Sequence, residues 1–122
     1  MNPAYGFVAA TVLLTVYGQI IIKWQVGKAG HFPSGASARV HYLGHFLLNP
    51  WVISALLGGL LAAFSWIAAL SRLELSRAYP YTAGSFVLVL VLSAIFFDEA
   101  LNPFKIAGAA LIVLGLIVGS HA

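Results

Sequence analysis

The sequence has 122 residues, of which 61% are hydrophobic and 7% are charged, and its net charge is +3. Soluble domains have about 25% charged residues, so this composition excludes a soluble fold and predicts an integral membrane protein. The chain has no cysteine and no basic run, which excludes disulfides and thiolate metal sites and argues against a nucleic-acid partner.

Four apolar runs are long enough to cross a membrane as helices, because a span of roughly 30 Å needs about 20 residues. Their approximate bounds are Ala4–Ile22, Trp51–Leu70, Ala78–Phe97 and Phe104–Ser120. No Lys or Arg precedes Lys23, so we expect the first run to be a retained span rather than a secretory signal. The runs are continuous rather than alternating, which predicts one all-α, four-helix transmembrane domain over residues 1–122 and not a β-barrel.

Polar residues recur at every fourth position of the first predicted helix, at Thr11, Thr15, Gln19 and Lys23. This spacing places them in one stripe that drifts slowly around the helix. A polar stripe is costly in hydrocarbon, so we expect it to face protein or a water-filled cleft and to end in one positive charge. Two simpler interpretations stay open: Thr and Gln hydrogen-bond to neighbouring helices, and Lys23 extends to the membrane surface.

The first loop, Gln25–Asn49, is much longer than the others. Its second half has apolar residues at helical spacing, namely Val40, Leu43, Leu47 and Leu48. This pattern predicts a helix lying in the headgroup region, with an ordered loop as the alternative. His41 and His45 have a spacing that can hold a metal, but the sequence offers no third ligand, so we predict no metal site and no cofactor.

The second and third predicted helices also carry small or polar residues on one face. These are Ser54, Gly58 and Ser65 beside Trp66 in the second helix, and Thr82, Ser85 and Ser93 in the third. Tyr79 and Tyr81 flank Pro80 at the expected helix start, where proline removes no hydrogen bond that the helix needs. The two tyrosines are either interfacial anchors or part of the mouth of a site. Three such stripes predict a cleft formed by the first three helices.

The fourth predicted helix instead carries Gly108, Gly115 and Gly119. Small residues on one face allow close helix contact, either within the chain or between two chains. Four packed helices leave little room for a substrate, and transporters place their sites between two repeats. Because the chain has no convincing internal repeat, we expect a dimer whose interface includes this glycine face, with a second copy or a related small subunit.

The two remaining connections, Ser71–Arg77 and Asp98–Pro103, are short and predict antiparallel neighbouring helices. The sequence has no Ser–His–Asp pattern, no paired carboxylates at a credible spacing and no Gly-rich phosphate loop, so we do not expect an enzyme. Basic residues are slightly more frequent on the side of the first loop. That bias weakly favours a cytoplasmic first loop and leaves a mixed orientation open.

Four motifs in this order resemble the small multidrug resistance superfamily: "GQIIIK" in the first helix, "AYP" opening the third, "FFDEALNP" after it and "GAALIVLG" in the fourth. The resemblance covers nearly the whole chain outside the first loop and implies a bundle of four short transmembrane helices. Exporters of this superfamily carry a glutamate in the first helix, three residues before the glycine. That position is Thr15 here, and the first helix has no carboxylate, so the resemblance does not extend to cation–proton antiport.

Gly-Gln-xxx-Lys together with Ala-Tyr-Pro is similar to the branch of small subunits of the aminoarabinose–undecaprenyl phosphate flippase. This resemblance implies movement of a polyprenyl-phosphate-linked sugar across the bacterial inner membrane, and it singles out Gln19, Lys23, Tyr79, Pro80 and Glu99. Lys23 would pair with the phosphate and Gln19 with hydroxyls or a phosphate oxygen, while the tail stays in lipid.

The complete set of expected substrate-binding residues is Lys23, Gln19, Thr15, Tyr79, Tyr81, Ser85, Trp66 and Glu99. Two alternative functions stay open. The chain could be an exporter of small organic cations with the same fold, or a membrane subunit that does not transport and instead stabilises a partner.

Overall fold

The regular structure is entirely α-helical over residues 3–121, the part of the chain that this computed structural model describes. In chain order the helices are α1 (Ala4–Ala29), α2 (Ala36–Leu47), α3 (Pro50–Leu70), α4 (Leu75–Thr82), α5 (Gly84–Phe96) and α6 (Pro103–Ser120). Four segments are long and apolar enough to cross a membrane: α1, α3, α4 with α5, and α6. The predicted four-span fold is therefore confirmed, and the first loop contains a helix, α2, rather than only an ordered loop.

The central packed pair is α1 against α3, and it meets along residues of α1 that lie seven apart. Seven residues make nearly two full turns, so Thr11, Gly18 and Gln25 stay on one face. The Thr11 hydroxyl donates to the carbonyl oxygen of Phe7 in its own helix at 2.8 Å and lies 3.4 Å from the carbonyl oxygen of Ala62 in α3. A Cβ on Gly18 would lie 3.4 Å from the carbonyl oxygen of Ala55. The small side of α1 therefore lets the two helix backbones approach closely.

Glycine serves the same purpose on the α3 side of this contact. A Cβ on Gly58 would lie 3.4 Å from Cδ2 of Tyr17 and 3.7 Å from the carbonyl oxygen of Leu14. The Tyr17 hydroxyl also shares a hydrogen bond of 2.8 Å with the Ser54 hydroxyl of α3. Polar and small residues of α3 are thus used for contact with α1.

The amino-terminal end of α1 packs against the turn between α3 and α4. A small core forms there from Val8, Ala69 and Ala78. By contrast, none of the described residues of α5 and α6 is buried. Apolar helices with so little burial present their side chains to lipid or to another chain.

The first helix is longer than predicted. It was expected to end at Ile22, but it continues to Ala29, so Gln25–Ala29 is helical rather than part of the loop. The polar residues after Ile22 end the hydrophobic span without ending the helix. Gly30 ends it, because its φ of 89° suits glycine, and its amide donates to the carbonyl oxygen of Val26 at 3.0 Å.

The start of the third span was predicted wrongly. It begins at Leu75 rather than Ala78, so Pro80 is inside α4 and not in its first turn. Pro80 has no amide proton and cannot donate to the carbonyl oxygen of Ser76, which weakens the helix there. The helix is interrupted at Ala83, and the span consists of two helices, α4 and α5.

Candidate functional site

The predicted site residues lie at two opposite ends of the bundle. Trp66 and Tyr81 pack against the core that contains Val8, near the start of α1, and the Tyr79 ring lies 6.3 Å from the Trp66 ring. Lys23 lies about 15 residues further along α1 than Val8, which is a rise of about 22 Å. The structure thus brings the three aromatic residues together, but it does not bring them to Lys23.

At the aromatic end, the predicted polar side chains are bonded within their own helices. The Ser85 hydroxyl donates to the carbonyl oxygen of Thr82 at 2.6 Å, and the Thr82 hydroxyl donates to that of Tyr79 at 2.6 Å. Tyr79 itself is 63% exposed. The exposed Tyr79 ring is therefore the most accessible group at this end, and the two hydroxyls, whose protons are used, keep only their acceptor capacity.

The polar stripe of α1 turns away from α3 as it runs towards Lys23. Each step of four residues rotates the side chain by about 40°, so Thr11 and Lys23 differ by about 120° around the helix. Thr11 contacts α3, Thr15 is half-buried, and Gln19 and Lys23 are exposed. Thr11 thus touches the neighbouring helix, but its short hydrogen bond of 2.8 Å is to Phe7 of its own helix, and the charged end of the stripe faces outward.

Lys23 lines one partly apolar cavity, and a separate apolar depression is lined by its neighbours on α1. With Val26, Phe32 and Leu43, Lys23 lines a cavity of about 490 Å³ between the end of α1 and α2. A second depression of about 340 Å³ lies between α1 and the end of α5, lined by Ile20, Ile21, Trp24, Phe96 and Phe97. A cation that lines a partly apolar cavity, with an apolar depression nearby, suits an amphiphile that carries an anionic group.

Glu99 lies at the same end of the bundle as Lys23 but in a different place. It lines a small depression of about 120 Å³ between α5 and α6, together with Ser93 and Lys105. The Lys105 Nζ donates to the carbonyl oxygen of Ala100 at 3.0 Å. Glu99 is exposed, so within this chain it is a rim residue separate from the Lys23 cavity.

A buried polar pair at the Lys23 end was missed by the sequence analysis. Gln25 is only 4% exposed, and its Oε1 accepts a hydrogen bond of 2.8 Å from the Asn49 Nδ2. The Asn49 Oδ1 in turn accepts from the amide of Trp51 at 2.9 Å and caps α3. Two features of the sequence could have revealed the pair: Gln25 follows Gly18 by seven residues, and Asn49 precedes Pro50, as N-cap residues often do.

The histidines near this pair do not form a metal centre. The rings of His41 and His45 are 4.5 Å apart, as their spacing predicted. Across residues 3–121, however, no three His, Asp or Glu side chains come together closely enough to hold a metal ion.

The glycine face of α6 is not used for packing within the described chain. A Cβ on Gly108, Gly115 or Gly119 would meet none of the surrounding described atoms within 4 Å. The contact of α6 with the start of α5 instead involves Leu116, whose Cδ1 would lie 3.9 Å from a Cβ on Gly84. Packing within the chain therefore does not account for these glycines, and their predicted place in a dimer interface stays a prediction.

Four spans, sparse burial and a polar stripe ending in an exposed lysine define a small multi-pass membrane transporter. The chain belongs to the EamA-like transporter family, whose profile matches residues 3–120. It is thus a transporter rather than an enzyme, as predicted, and it is located in the inner membrane.

Curated relatives agree with the resemblance predicted from the motifs. One from Pseudomonas paraeruginosa, named "Probable 4-amino-4-deoxy-L-arabinose-phosphoundecaprenol flippase subunit ArnE", is 36% identical over 119 residues, which covers 93% of this chain and 94% of the relative. Another from Yersinia enterocolitica, named as the ArnF subunit of the same flippase, is 33% identical over 119 residues, with 92% and 89% covered. No solved structure matches the chain. The predicted resemblance to the small flippase subunits is confirmed.

Proposed function

We propose that this chain is a subunit of a flippase that moves a polyprenyl-phosphate-linked sugar across the bacterial inner membrane. The observation that carries the proposal is the exposed Lys23 in a partly apolar cavity towards the end of α1, with a second, apolar depression lined by neighbouring residues of α1. A lipid with an anionic phosphate and an apolar tail matches this combination of one cation and nearby apolar surface. The names of the relatives specify the substrate class, a phosphoundecaprenol that carries an amino sugar.

Lys23 is proposed to pair with the lipid phosphate, and Gln19, one turn earlier and also exposed, to bond a phosphate oxygen or a sugar hydroxyl. The polyprenyl tail stays on the apolar outer surface of the helices, so only the headgroup needs a polar route. Thr15, half-buried between Gln19 and the α3 contact, continues that route inward. No step of this scheme requires a proton-carrying carboxylate in α1.

The aromatic end is proposed to receive the headgroup at the opposite membrane surface. Trp66 and Tyr81 pack against the core that contains Val8, which lies about 22 Å from Lys23 along α1, or roughly three quarters of a hydrocarbon core of about 30 Å. Aromatic faces with hydroxyls suit a sugar ring, which has both apolar and hydroxyl-bearing surfaces. Ser85 and Glu99 are proposed as minor polar contacts, one near each end of the path.

The functional unit is proposed to be a dimer. The exposed Gln19 and Lys23 need a covered, polar route across the membrane, which a second chain can supply. The glycine face of α6, with Gly115 at its centre, is free of contacts from the described chain and allows close approach of a partner helix. The partner is a second copy or a related small subunit; the relatives carry two subunit names, which favours a heterodimer.

A liposome assay tests the proposed function. The tagged protein is purified from its own membranes, so that a bound small subunit is carried along, and reconstituted with a polyprenyl-phosphate amino sugar in both leaflets. A membrane-impermeant amine reagent then labels only the outer leaflet. Labelling of nearly the whole lipid pool supports flipping, whereas labelling of about half, as in protein-free liposomes, refutes it.

A further inference from the structure

A second cavity lies against α2 and shares His31, Tyr42 and Phe46 with the Lys23 cavity. Its volume is about 680 Å³, within the range of about 300–1,000 Å³ that small-molecule sites occupy. Its polar lining residues are Gln25, Lys28, His31, His41, His45 and Asn49. The transport path proposed above uses none of these six side chains.

The hydrogen bonds around Gln25 determine which of its amide atoms is left unpaired. Because the Asn49 Oδ1 caps α3 as an acceptor, its Nδ2 is the group that donates to the Gln25 Oε1. The Gln25 Nε2 then has no hydrogen-bond partner among the described residues, although the side chain is 4% exposed. A buried unpaired donor is costly, and a ligand oxygen in the adjoining cavity would relieve that cost.

The only charge on the described cavity wall is positive, and its amide groups leave donors rather than acceptors free, while each neutral imidazole offers one donor and one acceptor. Lys28 is cationic and lines the cavity, and its Nζ lies 4.3 Å from the centre of the Trp24 ring. The side-chain oxygens of Gln25 and Asn49 are already bonded, and no carboxylate occurs among the described lining residues. A sugar needs acceptors as well as donors, whereas a phosphate needs donors only.

The cavity also lies at the depth where lipid phosphates are found. Gln25 and Lys28 follow the apolar run of α1, which ends near Ile22. The covering helix α2 has no buried residue, and it is fixed to the turn after α1 by a hydrogen bond of 2.9 Å from the Tyr42 hydroxyl to the carbonyl oxygen of Gly30. A surface helix over a donor-rich cavity forms a binding site open to headgroups.

We infer that the cavity bounded by Gln25, Lys28 and the histidines of α2 binds a phosphate group, carried by an anionic lipid headgroup or as free phosphate. The Gln25 Nε2 supplies a buried donor, and Lys28 supplies the charge. This inference goes beyond the proposed function and does not depend on it, because Lys23 lines the neighbouring cavity.

Lipid retention in a phosphate-free maltoside detergent tests the inference, with native mass spectrometry as the readout. All proteins carry Lys23→Ala, so that lipid held at the proposed transport site does not contribute. The probes are phosphatidylglycerol and, as the phosphate-free comparison, an uncharged diglucosyl diacylglycerol. We expect phosphatidylglycerol to be retained and the glucolipid to be lost.

Two variants address the cavity directly. Gln25→Glu keeps an oxygen for Asn49 but replaces the free donor by a carboxylate, and we expect about tenfold weaker retention. Lys28→Gln removes the charge at an exposed position, where folding is tolerant, and we expect about threefold weaker retention. The matched control is Asn102→Asp, the same amide-to-carboxylate change at an exposed cap of α6, which should leave retention unchanged.

Competition between phosphatidylglycerol and inorganic phosphate shows whether the site binds a lipid headgroup or free phosphate. Displacement of phosphatidylglycerol by millimolar inorganic phosphate assigns the site to free phosphate, and resistance to displacement assigns it to a lipid headgroup. Equal retention of the glucolipid overturns the inference, as does Lys28→Gln retention equal to that of Asn102→Asp, even if Gln25→Glu fails to fold. Failure of the wild-type protein to flip lipid in liposomes would refute only the proposed transport.

Discussion

Replacing Asn49 by alanine should destabilise the protein more than the loss of an ordinary helix cap. The Asn49 Oδ1 caps α3 through the amide of Trp51 at 2.9 Å, and losing such a cap costs about 1 kcal/mol. Its Nδ2 is also the partner of the buried Gln25 Oε1 at 2.8 Å, and leaving that acceptor unpaired costs about 1–3 kcal/mol. We therefore expect the free energy of unfolding to fall by about 2–4 kcal/mol.

The matched control is Asn102→Ala, because Asn102 caps α6 in the same way and is exposed. Its Oδ1 accepts from the amide of Lys105 at 2.8 Å, so the loss should be about 1 kcal/mol. Asn49→Asp keeps the cap acceptor and removes only the donor to Gln25. Its loss in free energy of unfolding should lie between those of the two alanine variants. Unfolding in mixed micelles with increasing denaturing detergent measures all three, and equal losses for Asn49→Ala and Asn102→Ala would show the reasoning to be wrong.

Three further predictions concern packing, assembly and substrate class. Gly58→Leu should destabilise the α1–α3 pair by about 1–3 kcal/mol, whereas Gly59→Leu, which points into open space, should not; the same detergent titration compares them. The double variant Gly108→Leu with Gly115→Leu should abolish cross-linked dimers and transport together while the monomer stays helical, and full activity would contradict the proposed interface. Because Thr15 occupies the place of the exporters' glutamate, vesicles should not expel a quaternary ammonium dye when a pH gradient is applied; robust efflux would favour the exporter.

The four spans and α2 could be predicted because they depend on local pattern. Continuous apolar runs of sufficient length leave the backbone few alternatives to a helix in lipid. The ends of the helices are harder to predict, because a helix can continue beyond the apolar run that spans the hydrocarbon. Lys23 and Gln25 were correctly recognised as polar, yet α1 continues through both to the glycine at position 30. The same effect applies to α4, which begins at Leu75, within residues that the sequence pattern predicts as a loop. Pro80 therefore lies inside the helix rather than in its first turn.

The arrangement of the candidate site could be predicted only in part. The stripe from Thr11 to Lys23 was recognised, but its drift of about 120° decides that one end meets α3 and the other faces outward. The Gln25–Asn49 bond joins residues far apart in the chain. Local patterns mark each residue separately, through the spacing from Gly18 and the position before Pro50, but they do not reveal that the two meet. Tyr79 and Lys23 were expected in one site, and only the course of α1 and α4 shows that they lie at opposite ends.

The central claim is that Lys23 binds the phosphate of the transported lipid, and the liposome flipping rate of Lys23 variants tests it most directly. Removing a charge-assisted contact costs about 1.5–3 kcal/mol, so Lys23→Ala should slow flipping by about 10- to 100-fold. Lys23→Arg should keep part of the rate, and Lys105→Ala, which removes an exposed cation at the same end of the bundle, should keep nearly all of it. A Lys23→Ala rate equal to that of Lys105→Ala would contradict the account.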